Sequence, residues 1–339
     1  MILLTGGAGY IGSHMAAALA TVGMPYVLFD NFANSHPGVL HRLKQLGNGI
    51  SPLLMGGDIR DPWALDAVFA RYPIDSVIHF AGLKSVAESM SNPGLYYENN
   101  LAGSISLVRA MQRAGVKRLV FSSSATVYGE PPESPVPETA PVNPANPYGW
   151  SKLLVENVLR DIAKSDPTWR VACLRYFNPV GAHPSGLLGE DPQGTPNNLM
   201  PFIAQVASGR RDKLNIFGND YPTPDGTGVR DYIHVQDLVE GHLAALRHVK
   251  KNTDCNYLVV NLGSGQGISV LEMVHAFIQF TGKNIPYTVQ PRRAGDVPLY
   301  FADPTLAKKI LDWETTRGLQ AMCEDTWRWQ NNNPLGYES

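Results

Sequence analysis

The sequence predicts an α/β protein: a doubly wound parallel sheet with a smaller C-terminal lobe interleaved with it. Three observations carry that reading. Short apolar runs alternate with segments of helical period through the first half of the chain. A glycine-rich turn, Gly6-Gly7-Ala8-Gly9-Tyr10-Ile11-Gly12, joins the first run to the first helical segment. Beyond residue 177 the texture shifts to Pro, Gly, Asn and Asp as far as Arg230, with one short helical segment at 199–207. Residues 1–177 are therefore expected to form a nucleotide-binding domain, and a segment at about 230–262 to return to it. Residues 178–339 then make up most of the second lobe, where the substrate is expected. A length of 339 residues exceeds what one core usually holds, which suits two lobes.

Composition narrows the class. Hydrophobic residues make up 44% and the formal charge is -2, without the basic balance that nucleic-acid binding calls for. No apolar run approaches the roughly 18 residues that span a bilayer. Met1 leads directly into Ile2-Leu3-Leu4, so no signal peptide is expected and the expected compartment is the cytoplasm. Cys173, Cys255 and Cys323 are odd in number and far apart, so neither a disulfide framework nor a metal site is expected.

Taken in order, residues 2–5 read as a buried strand and residues 15–22 as a helix ended by Gly23. Gly6, Gly9 and Gly12 suit a strand-to-helix turn that brings backbone N–H groups close to a pyrophosphate at the helix N-terminus. The second strand, residues 26–29, ends at Asp30. A carboxylate there suits the ribose hydroxyls of NAD and repels the 2′-phosphate of NADP. The polar residues Asn31 to Ser35 can wrap the adenosine. Further strands follow at 53–55, running on to Asp58, at 76–80, at 117–122 and at 170–176. Helical patterns lie at 64–69 and 95–114. His79 lies within an apolar strand and reads as a core histidine. Gly6, Asp30, Asp58, Gly82 and Ser124 all fall at the carboxyl ends of strands, where such a sheet binds its ligand.

Pro147 opens the next helix, since its fixed φ suits a first turn. Tyr148 and Lys152 are then one turn apart on one face. A free phenol titrates near pH 10, and a neighbouring ammonium favours its ionised form, so the pair can act as a base. Later helices are expected at 238–248, 270–280 and 319–329, with a strand at 258–260 and a polar loop at 292–296.

The glycine turn, the serines Ser122-Ser123-Ser124 and the motif Tyr148-Gly149-Trp150-Ser151-Lys152 resemble the extended short-chain dehydrogenase/reductase family. Phe80 to Lys84, Arg175 to Pro184, Gly189 to Pro201, Phe217 to Asp220 and Asp225 to Val235 resemble its branch that epimerises UDP-sugars at C4. The similarity spans essentially the whole chain. It implies an NAD-binding Rossmann domain and interconversion of UDP-glucose and UDP-galactose through a 4-keto sugar, with NAD retained as a prosthetic group.

The resemblance also implies roles. Tyr148 takes the 4-hydroxyl proton, Ser124 bonds the 4-oxygen, and Lys152 binds the nicotinamide ribose and depresses the tyrosine pKa. NAD is expected on Gly6, Gly9, Tyr10, Ile11, Gly12, Asp30, Asn31, Phe32, Ala33, Asn34, Ser35, Asp58 and Ile59. Phe80, Ala81, Gly82, Leu83, Lys84, Asn99, Ser122 and Phe177 complete that set, with Tyr148 and Lys152. The UDP-sugar is expected on Ser124, Tyr148, Asn178, Asn198, Leu199, Asn215, Ile216, Phe217, Arg230, Arg293 and Asp296. Tyr300 is expected to narrow the pocket beside the hexose C2 substituent. Trp150 and Ala8 depart from the commonest family pattern without touching the chemistry. A homodimer is implied, paired through the helices around 95–114 and 148–164. Two alternatives stay open: a 4,6-dehydratase of the same fold, against which Ala125 and Thr126 argue, and a non-catalytic NAD-sensing regulator.

Overall fold

Seven parallel strands form the central sheet of the computed structural model, which describes residues 1–251, 254–293 and 296–338. Ala294 and Gly295 of the expected polar loop lie outside the described residues. The chain begins β1 (Ile2–Thr5), α1 (Tyr10–Thr21), β2 (Tyr26–Asp30), α2 (Gly38–Leu46), β3 (Leu53–Gly56), α3 (Pro62–Arg71) and β4 (Ser76–His79). It continues through α4 (Val86–Ser91), α5 (Pro93–Tyr96), a π-helical turn (Tyr97–Ala102) and α6 (Gly103–Arg113) to β5 (Arg118–Ser122). A 3-10 turn (Ala125–Tyr128), α7 (Pro147–Ser165) and β6 (Arg170–Tyr176) follow.

Beyond them come β7 (Asn178–Val180), α8 (Leu199–Ala207), β8 (Leu214–Phe217) and β9 (Val229–His234). Then α9 (Val235–Lys251) and β10 (Tyr257–Leu262) return to the main sheet. The chain ends through β11 (Gly267–Ser269), α10 (Val270–Thr281), β12 (Tyr287–Gln290), β13 (Leu299–Tyr300), α11 (Thr305–Leu311) and α12 (Leu319–Asn332).

The main sheet runs β10-β6-β5-β4-β1-β2-β3. The chain moves outward from β1 to β3 and then restarts on the other side of β1 with β4. Loops diverge at that switch and leave a crevice beyond the strand ends. Both faces of the sheet are covered, so the strands read as continuous apolar runs. The period of two sends Leu4 into the core beneath α1 and α9 with Met15, Leu238 and Leu246. It sends Leu3 to the opposite core with Leu107, Val155 and Leu159 of α6 and α7.

The small lobe has its own sheet, in which β9 pairs with β7, β11 and β13, and a second pair of strands, β8 with β12. Its core gathers Met200, Ile203, Ile216, Met273, Phe277 and Met322. The sequence grouped the segment 230–235 with the returning chain, but β9 lies in this small sheet and the return begins with α9.

Helix starts follow local chemistry. The Asn146 side chain accepts the N–H of Gly149 at 2.9 Å and caps α7 just before Pro147. Ser269 and Glu272 form a capping box on α10, which ends at Gly282 with φ +67°. The continuous helix expected at 95–114 is instead α5, the π-helical turn and α6. Such widened turns cluster at functional sites, and this one carries Asn99 and Asn100. Among the described residues, no helix is long and apolar enough to cross a membrane, and no His/Cys/Asp/Glu group could hold a metal.

Candidate active site

The glycine turn is built for a close approach. Gly6 has φ +66°, and a Cβ on it would lie 2.7 Å from the Ala81 nitrogen. A Cβ on Gly12 would lie 2.2 Å from the Gly6 oxygen. Gly9 differs: a Cβ there would meet only the Gly6 oxygen, at 3.3 Å, so its outer side is open. That open cradle stands at the N-terminus of α1, whose first turn carries no acidic residue. Tyr10 and Ile11 open that helix, and the Tyr10 hydroxyl donates to the Gly181 carbonyl at 2.7 Å. Backbone donors and the positive end of a helix dipole suit a dinucleotide pyrophosphate.

Asp30 ends β2 and is buried. Its carboxylate accepts the N–H of Ala8 at 2.9 Å, the N–H of Phe32 at 2.9 Å and the Ser35 hydroxyl at 3.0 Å. A carboxylate has about four acceptor positions, so room for a ribose hydroxyl remains. Phe32 has φ +57°, a conformation that costs a bulky residue energy and marks the wrap around this carboxylate. Ala33 and Asn34 are exposed on the same loop. Asn31 donates to Asp58 at 2.9 Å, and Arg60, 2.8 Å away, holds the Asp58 carboxyl well below the usual carboxylate range. Ile59 is buried against Gly103.

Tyr148, Lys152 and Ser124 meet where β5 ends. The Lys152 ammonium donates to the Ser122 carbonyl at 2.8 Å and lies 5.0 Å from the Phe121 ring centroid. Burial lowers its pKa to about 8, against an opposing pull from Glu156. Ser124 caps the 3-10 turn, its oxygen accepting the Thr126 N–H at 3.2 Å and the Thr126 hydroxyl at 2.9 Å. A hydrogen bond with Ser124 pulls the Tyr148 phenol down, but burial outweighs it and the phenol is raised. Lys152 does not enter that balance here, so its lowering of the Tyr148 phenol belongs to the proposed mechanism. The ammonium is 6.0 Å from the Tyr148 ring and is engaged by a carbonyl, so desolvation decides the balance. His79 is the core histidine expected: its two ring nitrogens meet Thr5 at 2.6 Å and Ser104 at 2.8 Å.

Sequence reasoning missed the supports of this centre. Asn100 is buried in the π-helical turn. It accepts the Leu83 N–H at 2.8 Å and donates to the Leu83 carbonyl and the Ser151 hydroxyl, each at 3.0 Å. It thus ties the loop of Phe80, Ala81, Gly82 and Leu83 to α7, and its neighbour Asn99 donates to it at 3.0 Å. Glu156 follows Lys152 by one turn and is buried with Arg175 at 2.6 Å and the Ser123 hydroxyl at 2.5 Å. Its signal was legible, since Tyr148, Lys152 and Glu156 recur every four residues on a face that also buries Val155 and Leu159.

The second lobe contributes across the crevice. Glu190 accepts from Lys84 at 2.7 Å and from Asn198 at 3.1 Å, linking an expected cofactor residue to an expected substrate residue. Leu199 begins α8 behind Asn198. The Phe177 and Tyr300 rings lie 5.2 Å apart, and the Tyr300 hydroxyl donates to the carbonyl of Ala125, next to Ser124. Asn178 is exposed on β7. Along β8, Asn215 and Phe217 face outward while Ile216 is buried in the core. Strand alternation removes the Ile216 side chain from any ligand. Arg293 bonds Asp296 at 3.0 Å, and Arg230 lies 3.7 Å from the same carboxylate.

A nucleotide turn on a parallel sheet, with a tyrosine, a lysine and a serine at the strand ends, defines a dinucleotide-dependent enzyme of the short-chain dehydrogenase/reductase type. The model of the NAD dependent epimerase/dehydratase family matches residues 2–263, and the chain belongs to that family. Its cofactor is NAD. It is 55% identical to a UDP-glucose 4-epimerase of Yersinia pestis over 99% of each chain. A UDP-glucose 4-epimerase from Stenotrophomonas maltophila, solved with bound NAD and formylated UDP-arabinopyranose, superposes with a TM-score of 0.95 at 49% identity, over 98% of both chains. One from Bifidobacterium longum, in complex with NAD+ and UDP, gives 0.94 at 47% identity over 99% of both.

Proposed function

We propose that the chain interconverts UDP-galactose and UDP-glucose through a transient 4-keto sugar. The observation that carries this is the convergence of Tyr148, Lys152 and Ser124 at the end of β5. The C4–H of a hexose is not acidic, so inversion there requires oxidation to a planar ketone and reduction from the other face. NAD supplies that redox capacity when bound.

The protein positions and moves the proton. Tyr148 accepts the 4-hydroxyl proton as its phenolate, the form that a nearby positive charge favours against the burial that raises the phenol. Lys152 supplies the positive charge beside it and holds the nicotinamide ribose. Ser124 donates to the 4-oxygen as the ketone forms. The glycine turn, Asp30 and Asp58 hold the dinucleotide, while Arg230, Arg293 and the exposed side chains of Asn178, Asn215 and Phe217 hold the UDP-sugar. Guanidinium groups suit a diphosphate because their planar forks make paired, charge-assisted bonds. The same reading places the enzyme in galactose metabolism as a homodimer. Trp150, Val86 and Met90 leave apolar surface exposed on the adjoining helices α7 and α4, consistent with such pairing.

The test is to incubate the purified protein with UDP-galactose and assay UDP-glucose. Conversion is expected, and Tyr148→Phe is expected to slow it by about 10²–10⁴-fold, the usual worth of an acid–base group, while bound NAD is retained. A 4-keto-6-deoxy product would assign a dehydratase instead. NAD binding without turnover of either sugar would assign a regulator.

A further inference from the structure

Among the described residues, the hydroxyl of Tyr221 has no hydrogen-bond partner, although the residue is only 5% exposed. It lies in the turn after β8, where its N–H donates to the Gly226 carbonyl at 3.0 Å. Gly218, with φ +82°, lets the turn close tightly: a Cβ there would lie 2.5 Å from the Tyr221 ring and 2.9 Å from the Arg292 side chain. The Arg292 guanidinium lies 4.2 Å from the ring centroid and is anchored by Asp220 at 2.7 Å. Arg293 packs 4.8 Å from the Phe217 ring centroid while it bonds Asp296. The charges of Arg230, Arg292, Arg293 and Asp296 all act on the phenol.

Among the described residues this environment gives the phenol no acceptor within hydrogen-bond reach. Guanidinium groups are donors only and cannot take the phenol proton. Asp296 is engaged by Arg293, and Arg230 spends one nitrogen on the carbonyls of Val229 and Val297, at 2.9 and 2.8 Å. A buried hydroxyl without a partner is unfavourable, and three guanidinium groups against the single Asp296 carboxylate favour an anion as the missing partner. We propose that the Tyr221 hydroxyl is a phosphate ligand, donating to the diphosphate of the nucleotide-sugar alongside Arg230 and Arg293. The inference rests on the proposed nucleotide-sugar function and adds a neutral donor beside the two arginines proposed for the diphosphate.

The experiment is a calorimetric titration of the intact protein with UDP and with uridine, for the wild type and Tyr221→Phe. Phenylalanine keeps the ring and its contact with Arg292 and removes only the donor. The variant is expected to bind UDP ~10-fold or more weakly, the ordinary loss for a hydrogen bond to a charged group. Its uridine affinity, bound NAD and Tm are expected to stay unchanged. Equal UDP affinity in the two proteins overturns the inference and leaves the proposed function standing. An equal loss for UDP and uridine also overturns it, because that is what a packing role produces. A wild type that fails to bind UDP removes the nucleotide-sugar function itself, and this inference with it.

Discussion

Lys152 sits between the Phe121 ring and the Ser122 carbonyl, and burial brings its pKa from 10.5 to about 8. The folded state therefore holds this proton less tightly than the unfolded chain. Below about pH 8 the full penalty is present, and between 8 and 10.5 stability rises with pH as the penalty is relieved. Lys152→Met is expected to abolish turnover yet raise Tm at pH 7, by on the order of 1–3 kcal/mol of stability. The gap between variant and wild type is expected to narrow by pH 10. Melting curves at both pH values check this, and a lower Tm for the variant at pH 7 would mean that the Ser122 hydrogen bond outweighs burial. Tyr300 carries a second residue-scale prediction. Its hydroxyl is pinned to the Ala125 carbonyl, which sets the ring beside Ser124. If that ring borders the hexose C2, as the proposed substrate site has it, an acetamido group there has to displace it, which costs about 1–3 kcal/mol or about 5- to 150-fold. UDP-N-acetylglucosamine is thus expected to be a poor substrate that Tyr300→Ser improves. A wild type equally active on both sugar pairs contradicts this. The sequence placed Tyr148 and Lys152 on one face, because spacing fixes direction. How deep they lie depends on α4, α5 and β5 packing around them, so it could not show that burial raises the phenol.

The end of β2 shows how one element serves fold and cofactor together. Asp30 holds the glycine turn through the Ala8 N–H and holds its own loop through Phe32 and Ser35. In the proposed cofactor site it also places a negative charge where a 2′-phosphate would sit. The nucleotide released when the purified protein is denatured is expected to be NAD and not NADP. Asp30→Ala loosens both the turn and the ribose contact, so the NAD carried per chain is expected to fall; an unchanged yield would show that Asp30 serves the loop alone. Elements with strong local signals were legible. The segment 199–207, between an irregular stretch and Ser208, and the strand 170–176 match α8 and β6 residue for residue. The helices α2, α4 and α11 escaped notice because each is nine residues or shorter and buries few apolar positions. The π-helical turn escaped because its cause is not local: Asn100 reaches Leu83 and Ser151, the latter 51 residues away.

At the scale of the molecule, two sheets and their cores meet over the crevice at the β1/β4 switch. The interleaving was legible as a change of texture after residue 177 and a return of helical period near 235. The seam was not, because Glu190, which joins Lys84 to Asn198, pairs residues more than a hundred positions apart. The Phe177 and Tyr300 rings pack tilted at 42° in one cluster with Ala125 and Leu153, and in the proposed mechanism the reacting carbon meets one tyrosine and one cofactor face at a time. The measurement that tests this most directly uses UDP-galactose deuterated at C4, converted in ordinary water and followed by NMR of the UDP-glucose formed. Removal of the C4 hydrogen to an enclosed carrier and its return to the opposite face predicts full retention of deuterium at C4. Deuterium replaced by solvent hydrogen would mean inversion by proton exchange and would contradict the oxidation at C4 on which the account rests.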